Sequence, residues 1–293
     1  MAFAKGRESV SEGSIKRYIG VAPFTVIAVN PTKKEMEEIY GTTLEKEPEY
    51  ISEKDGVKTV RLDFILKSDA EKCGFELLTK LAFFIRNEKR ANKDNTKLQI
   101  IDKYGATAWV TNEEYKEKAI PMYANGPARI DKDYRAIYGG EENLTNFIIA
   151  YLNIPSLWKW KEGQIVGKID DPSEAEARID NIEKLFNGDF SEMKEILTLQ
   201  PENRVKVMLG IKTDEAGKIY QATFNEYVMR SGTKDYAKLA KTLEERKSLG
   251  AYPTTVFEVA DAHEFNIVPT NLDRPKEIEN PFGEGKTDDG LPF

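Results

Sequence analysis

Histidine and cysteine are almost missing from this chain. One histidine (His263) and one cysteine (Cys73) in 293 residues exclude intramolecular disulfides, Cys/His zinc sites, Ser-His-Asp triads and Cys-His dyads within the chain. No GxxxxGK(S/T) phosphate loop occurs, and an HExxH zinc motif needs two histidines. The acid pairs Asp131 and Asp133, and Asp170 and Asp171, come without a supporting ligand pattern, and Asp171 reads as a helix cap. Catalytic and metal-ligating residues are therefore expected to be absent, and no cofactor is implied. Long apolar runs are lacking as well. No stretch approaches the roughly eighteen apolar residues of a spanning helix, and residues 1–15 lack the apolar core of a signal peptide. A soluble cytoplasmic protein without a membrane partner is the expectation.

The formal net charge of −7 at first opposes nucleic acid, because a phosphate-binding surface is usually basic. Its distribution along the chain reverses that inference. Residues 276–293 hold five acids against two lysines, with two prolines, three glycines and no apolar periodicity, which predicts a disordered acidic tail. Residues 80–110 carry seven bases (Lys80, Arg86, Lys89, Arg90, Lys93, Lys97, Lys103) against Glu88, Asp94 and Asp102. A flexible arm over residues 1–19 adds Lys5, Arg7, Lys16 and Arg17.

Between arm and tail, residues 20–275 read as one domain. Residues 20–30 form a buried β-branched run, and residues 57–67 alternate, with Val60, Leu62, Phe64 and Leu66 opposite Arg61, Asp63 and Lys67. Three more strand-like runs follow at 75–86, 97–102 and 106–111, and their short connections predict an antiparallel meander. The middle turns helical. Leu144, Phe147, Ile148 and Tyr151 share a helical face, and a second helix is expected from the Asp171-Pro172 cap to Gly188. Strands return at 204–211, 218–229 and 254–259, with a helix over 235–247. The pattern predicts a β-rich α+β fold: an oligonucleotide-binding (OB-like) barrel with a helical insertion at about 120–200, a sandwich being the alternative that periodicity leaves open.

Strand alternation also sorts the aromatics. In residues 75–86 Phe83 falls with Leu81 and Ile85 on the core face, and Phe84 falls with Lys80 and Arg86. An exposed ring between cations suits single-stranded nucleic acid, whose bases stack while the cations meet phosphates. Trp109, grouped with Thr107 and Thr111, and Tyr104 at the turn are further platforms. The bland alternative is a solvated basic edge. A second patch, Trp158, Lys159, Trp160 and Lys161, either forms a stacking ladder or anchors the insertion on the barrel.

The tip Asp288-Asp289-Gly290-Leu291-Pro292-Phe293 resembles the C-terminal tip of bacterial single-stranded DNA-binding proteins: acids, an aliphatic residue, proline and a terminal phenylalanine. Gly290 stands where the family has a third acid, and the likeness covers only these six residues. In length and helical middle the body looks more like the larger single-stranded DNA-binding proteins of tailed bacteriophages. The resemblance implies a non-enzymatic protein of DNA replication, recombination or repair, working in a bacterial host cytoplasm if viral. Such a protein would bind single-stranded DNA without reading sequence, and self-association along the strand is an option. Asp288, Asp289, Leu291, Pro292 and Phe293 would recruit replication or repair proteins, the ring entering an apolar pocket and the acids a basic rim. The competing expectation is a viral scaffold or interaction protein that does not bind nucleic acid.

Overall fold

The computed structural model describes residues 16–102, 107–119, 130, 134–153, 182–199, 202–215 and 217–265, with the backbone alone at 158–161, 164–168, 196, 198 and 199. The chain divides into a unit of Tyr18–Glu264 and a second of Met1–Arg17 with Phe265–Phe293. The fold set out below is that of the former.

Strand β1 (Arg17–Val29) is the apolar run the sequence marks. At Gly20, φ is +108° and a Cβ would lie 2.7 Å from Ala262 Cα, so only glycine fits. Helix α1 (Lys33–Tyr40) starts at a capping box in which Thr32 N–H donates to Glu35 Oε2 at 2.6 Å. Strands β2 (Ile51–Lys54) and β3 (Val57–Ser68) form a hairpin through Asp55-Gly56, both at positive φ, the backbone a two-residue turn between twisted strands demands. A single turn, α2 (Ala70–Cys73), leads into β4 (Leu78–Lys89). Next come β5 (Lys97–Asp102), β6 (Thr107–Thr111), α3 (Asn112–Glu117), β7 (Tyr134–Ala136), β8 (Tyr138–Gly139) and α4 (Glu141–Tyr151). A hairpin of β9 (Trp158–Lys161) and β10 (Gln164–Lys168) precedes α5 (Ile182–Leu185) and α6 (Ser191–Leu199). The chain returns to strand in β11 (Val205–Thr213) and β12 (Ile219–Arg230), then forms α7 (Ala237–Ser248), β13 (Thr255–Phe257) and β14 (His263–Phe265).

The main sheet runs β12-β11-β1-β3-β4-β8 with antiparallel pairing throughout, and it curls strongly into a half-barrel. A bulge between Val26 and Ala28 in the β1–β3 ladder adds to the bend. Since β4 and β12 are each two antiparallel steps from β1, they run parallel to one another where the curl brings them together. Side chains bridge that seam: Thr223 Oγ1 donates to Lys80 O at 2.9 Å and Asn225 Nδ2 to Ala82 O at 2.7 Å. Inside the curl lie Phe24, Val60, Leu62, Phe64, Leu81, Phe83 and Val207, and α4 inserts Phe147 and Tyr151 among them. The Phe147 ring stands 4.6 Å from Phe64 and 5.2 Å from Phe83. Helix α7 covers another face with Leu239 and Leu243 against Val21, Met208, Phe224 and Tyr227.

Asn225→Ala is expected to leave the Ala82 carbonyl without its donor, at a cost of about 1–3 kcal/mol. At roughly 2–4 °C per kcal/mol for a domain of this size, calorimetry should show a fall of several degrees. An unchanged melting temperature would mean that the seam does not depend on this bond.

Two sequence expectations need correction. Strands β5 and β6 do not continue the meander but form a separate three-stranded sheet with β7, order β6-β5-β7, around a small core of Ile100, Ala108, Val110, Ile130 and Tyr134. Alternation tells which residues share a face and is silent about which strand lies alongside; here β8 takes the edge of β4 and leaves β5 to pair with β7. The stretch expected as a helical insertion also contains strands, β7 to β10, as well as α4 to α6. Of the helix expected over 171–188, the described portion is α5; its proposed Asp171 cap lies outside the described residues, as do Asp131, Asp133 and Asp170.

Candidate nucleic-acid interface

The curl gives β4 one face inward and one outward, and the sequence has already divided its residues between them. Phe83 is 1% exposed and sits among Leu81 and Ile85, whereas Phe84 is 55% exposed. The β3–β4 register places Arg61 directly across from Phe84, Thr59 from Arg86, Asp63 from Ala82 and Ile65 from Lys80. One outer face therefore carries an exposed ring and three cations.

Those cations are not equally available. Asp63, 2% exposed, lies between two of them, with Oδ2 at 3.1 Å from Lys80 Nζ and Oδ1 at 3.2 Å from Arg61 Nε. Asn30 fixes this carboxylate's strand position by accepting the Asp63 N–H at 2.7 Å and donating to Arg61 O at 3.1 Å. The Arg61 guanidinium also lies 5.4 Å from the Tyr50 ring centre. Burial, helped by the Asp63 charge, raises the phenols of Tyr40 and Tyr50 above their ordinary value, so both remain neutral hydroxyls beside the acid. Arg90 is paired with Glu142, and Lys89 packs 4.5 Å over the Tyr115 ring. Arg86 and Lys93 are exposed and make no ion pair among the described residues; Lys97 is exposed too, its charge reaching Glu114.

Trp109 lies on the second sheet, 43% exposed, on the face opposite buried Ala108 and Val110. Phe84 and Trp109 are thus carried by different sheets. Strand β9 is extended as expected, but the side chains of Trp158, Lys159, Trp160 and Lys161 lie outside the described residues, as do Lys103, Tyr104 and the tip Asp288, Asp289, Leu291, Pro292 and Phe293.

The sequence reading passed over Tyr220 and gave Arg61 no role. Tyr220, 40% exposed at the start of β12, has Lys218 Nζ 5.1 Å over its ring and donates from Oη to Asp214 at 2.8 Å. Arg61 was placed on the outer face by alternation, but only the register shows it opposite Phe84.

Elsewhere, a cavity of about 370 Å³ is lined by Lys72, Cys73, Lys206 and Asp261 among others, none of them on the Phe84 face. Tyr236 links two of these residues, accepting from Lys206 Nζ at 2.8 Å and donating to Asp261 at 2.7 Å. Cys73 closes α2 with its thiol directed at Asp69 O, and His263 is exposed, 3.6 Å from Glu258. Among the described residues no cluster of three or more His, Cys, Asp or Glu could hold a metal ion, and no helix is long and apolar enough to cross a membrane. Compared with protein-family models, with curated proteins and with solved structures, the chain matches none of them.

Proposed function

We propose that the chain binds single-stranded DNA without reading its sequence, on the outer face of β3 and β4, and that its curled sheet is an oligonucleotide-binding barrel. The observation that carries the reading is Phe84, a large ring held in solvent by a strand whose adjacent residues are core, with Arg61 across from it and Arg86 next along the same face. Such a ring accepts any base, because every base has a π-face, while the cations meet phosphates. Topology supports the barrel. Strands β1, β3, β4, β11 and β12 follow the chain, the third and fifth meet in parallel, and α4 lies between the third and fourth. In oligonucleotide-binding barrels the second and third strands carry the ligand; here these are β3 and β4. Trp109 and Lys97, on one face of the second sheet, would continue the track. The acidic C-terminal tip is then a separate recruiting element for replication or repair proteins.

The test is fluorescence titration with poly-dT at several salt concentrations, using the intact chain and one ending at Pro275. Affinity should fall with salt at a slope of about −0.7 per phosphate neutralised, near −2 for Arg86, Lys93 and Lys97 together. Absence of salt-dependent binding in both forms would leave the interaction-protein reading in place. Tighter binding by the shortened chain would mean that the acidic tail competes with DNA for the face, and equal binding that it does not.

A further inference from the structure

The geometry points to Asp63 as the residue that limits how tightly the β3–β4 face holds a strand; this inference rests on the DNA-binding reading and adds to it what sets the affinity. Asp63 and Ala82 form the residue pair next to that of Arg61 and Phe84 on the same outer face, and Lys80 follows Ala82 by one further step. Same-face neighbours on a strand are about 7 Å apart. A phosphate of a strand stacked on Phe84 thus reaches Arg61 and Lys80 only where Asp63 already holds both, at 3.2 and 3.1 Å. Binding there exchanges one ion pair for another. It releases no net counterion from these two cations and would strand a carboxylate that is 2% exposed. Asn30 holds Asp63 in register by accepting its backbone N–H at 2.7 Å, and the Asp63 side chain is buried between the two cations. The face therefore presents fewer working cations than its sequence suggests. Relieving that block is expected to strengthen binding without adding a basic residue.

Asp63→Asn keeps the shape and removes the charge. In poly-dT titrations from low to moderate salt it should tighten binding by about tenfold near physiological salt and steepen the log–log salt slope by up to about 1.4, two cations at roughly 0.7 each. Lys80→Gln should reduce the slope by less than about 0.3 in the otherwise natural chain and by about 0.7 in the Asp63→Asn background. An Asp63→Asn chain that melts normally yet shows an unchanged slope overturns the inference. So does a full loss of about 0.7 from Lys80→Gln alone, a measurement that decides the matter even if Asp63→Asn does not fold. If the natural chain fails to bind at any salt, the DNA-binding reading itself falls, and the two failures stay distinguishable.

Discussion

Replacing Phe84 by alanine should cost the chain about 1–3 kcal/mol of affinity for single-stranded DNA, the usual worth of one base stacked on an aromatic ring, and leave its melting temperature nearly unchanged. At 1.4 kcal/mol per tenfold that is a weakening of roughly five- to over a hundredfold, readable in a poly-dT titration. The salt slope should stay as it was, because no charge is removed. Phe83→Ala makes the natural control. The two rings are adjacent in sequence, yet Phe83 is packed 5.7 Å from Phe64 and 5.2 Å from Phe147, so its truncation should cost about 3–5 kcal/mol of stability and little intrinsic affinity in whatever remains folded. Trp109→Ala should weaken binding in the same manner as Phe84→Ala if the track continues onto the second sheet. Binding by Phe84→Ala at the natural affinity would remove the ring from the interface, and a large fall in its melting temperature would show that Phe84 supports the core.

The faces of single strands were legible because alternation is a local property. Val60, Leu62, Phe64, Phe83 and Ile85 are buried, and Phe84 and Trp109 stand out, as period-two reading expects. Helix α4 was legible for the same reason, and α7 nearly to the residue. Helices α1 and α3 were missed although both announce themselves through capping boxes, Thr32 with Glu35 and Thr111 with Glu114. What could not be read were facts about partners. The seam between β12 and β4 joins residues 143 positions apart. The separate sheet of β5, β6 and β7 depends on which edge β8 occupies. The candidate site suffered most from this limit: a count of basic residues treats Lys80, Lys89 and Arg90 as free, whereas tertiary packing gives them Asp63, Tyr115 and Glu142.

Gly140→Ala should have the largest effect on stability. A Cβ built there lies 1.9 Å from Phe84 O and 3.0 Å from Phe84 C, and the residue's φ is +87°. The close atoms belong to the backbone of β4, so no side chain can swing aside. Either β4 or the start of α4 must move by more than an ångström. Movement of α4 withdraws Phe147 from the core and pulls Glu141 from its two bonds to Arg135, at 2.6 and 2.9 Å; movement of β4 displaces the strand that presents Phe84. Positive φ alone costs a non-glycine residue about 1–2 kcal/mol, and the displaced packing should raise the total above about 4 kcal/mol, the range reserved for such specific failures. Gly217→Ala separates the two causes, since Gly217 shares the conformation at φ +79° but has nothing within 4 Å of an added Cβ. In thermal melts Gly217→Ala should lose a few degrees and Gly140→Ala more than about ten, at 2–4 °C per kcal/mol. Equal losses would mean that backbone conformation, not the approach to Phe84, makes glycine necessary. The larger loss, joined to weakened DNA binding in whatever folds, would tie the position of the stacking ring to the residue that seats α4 against its strand.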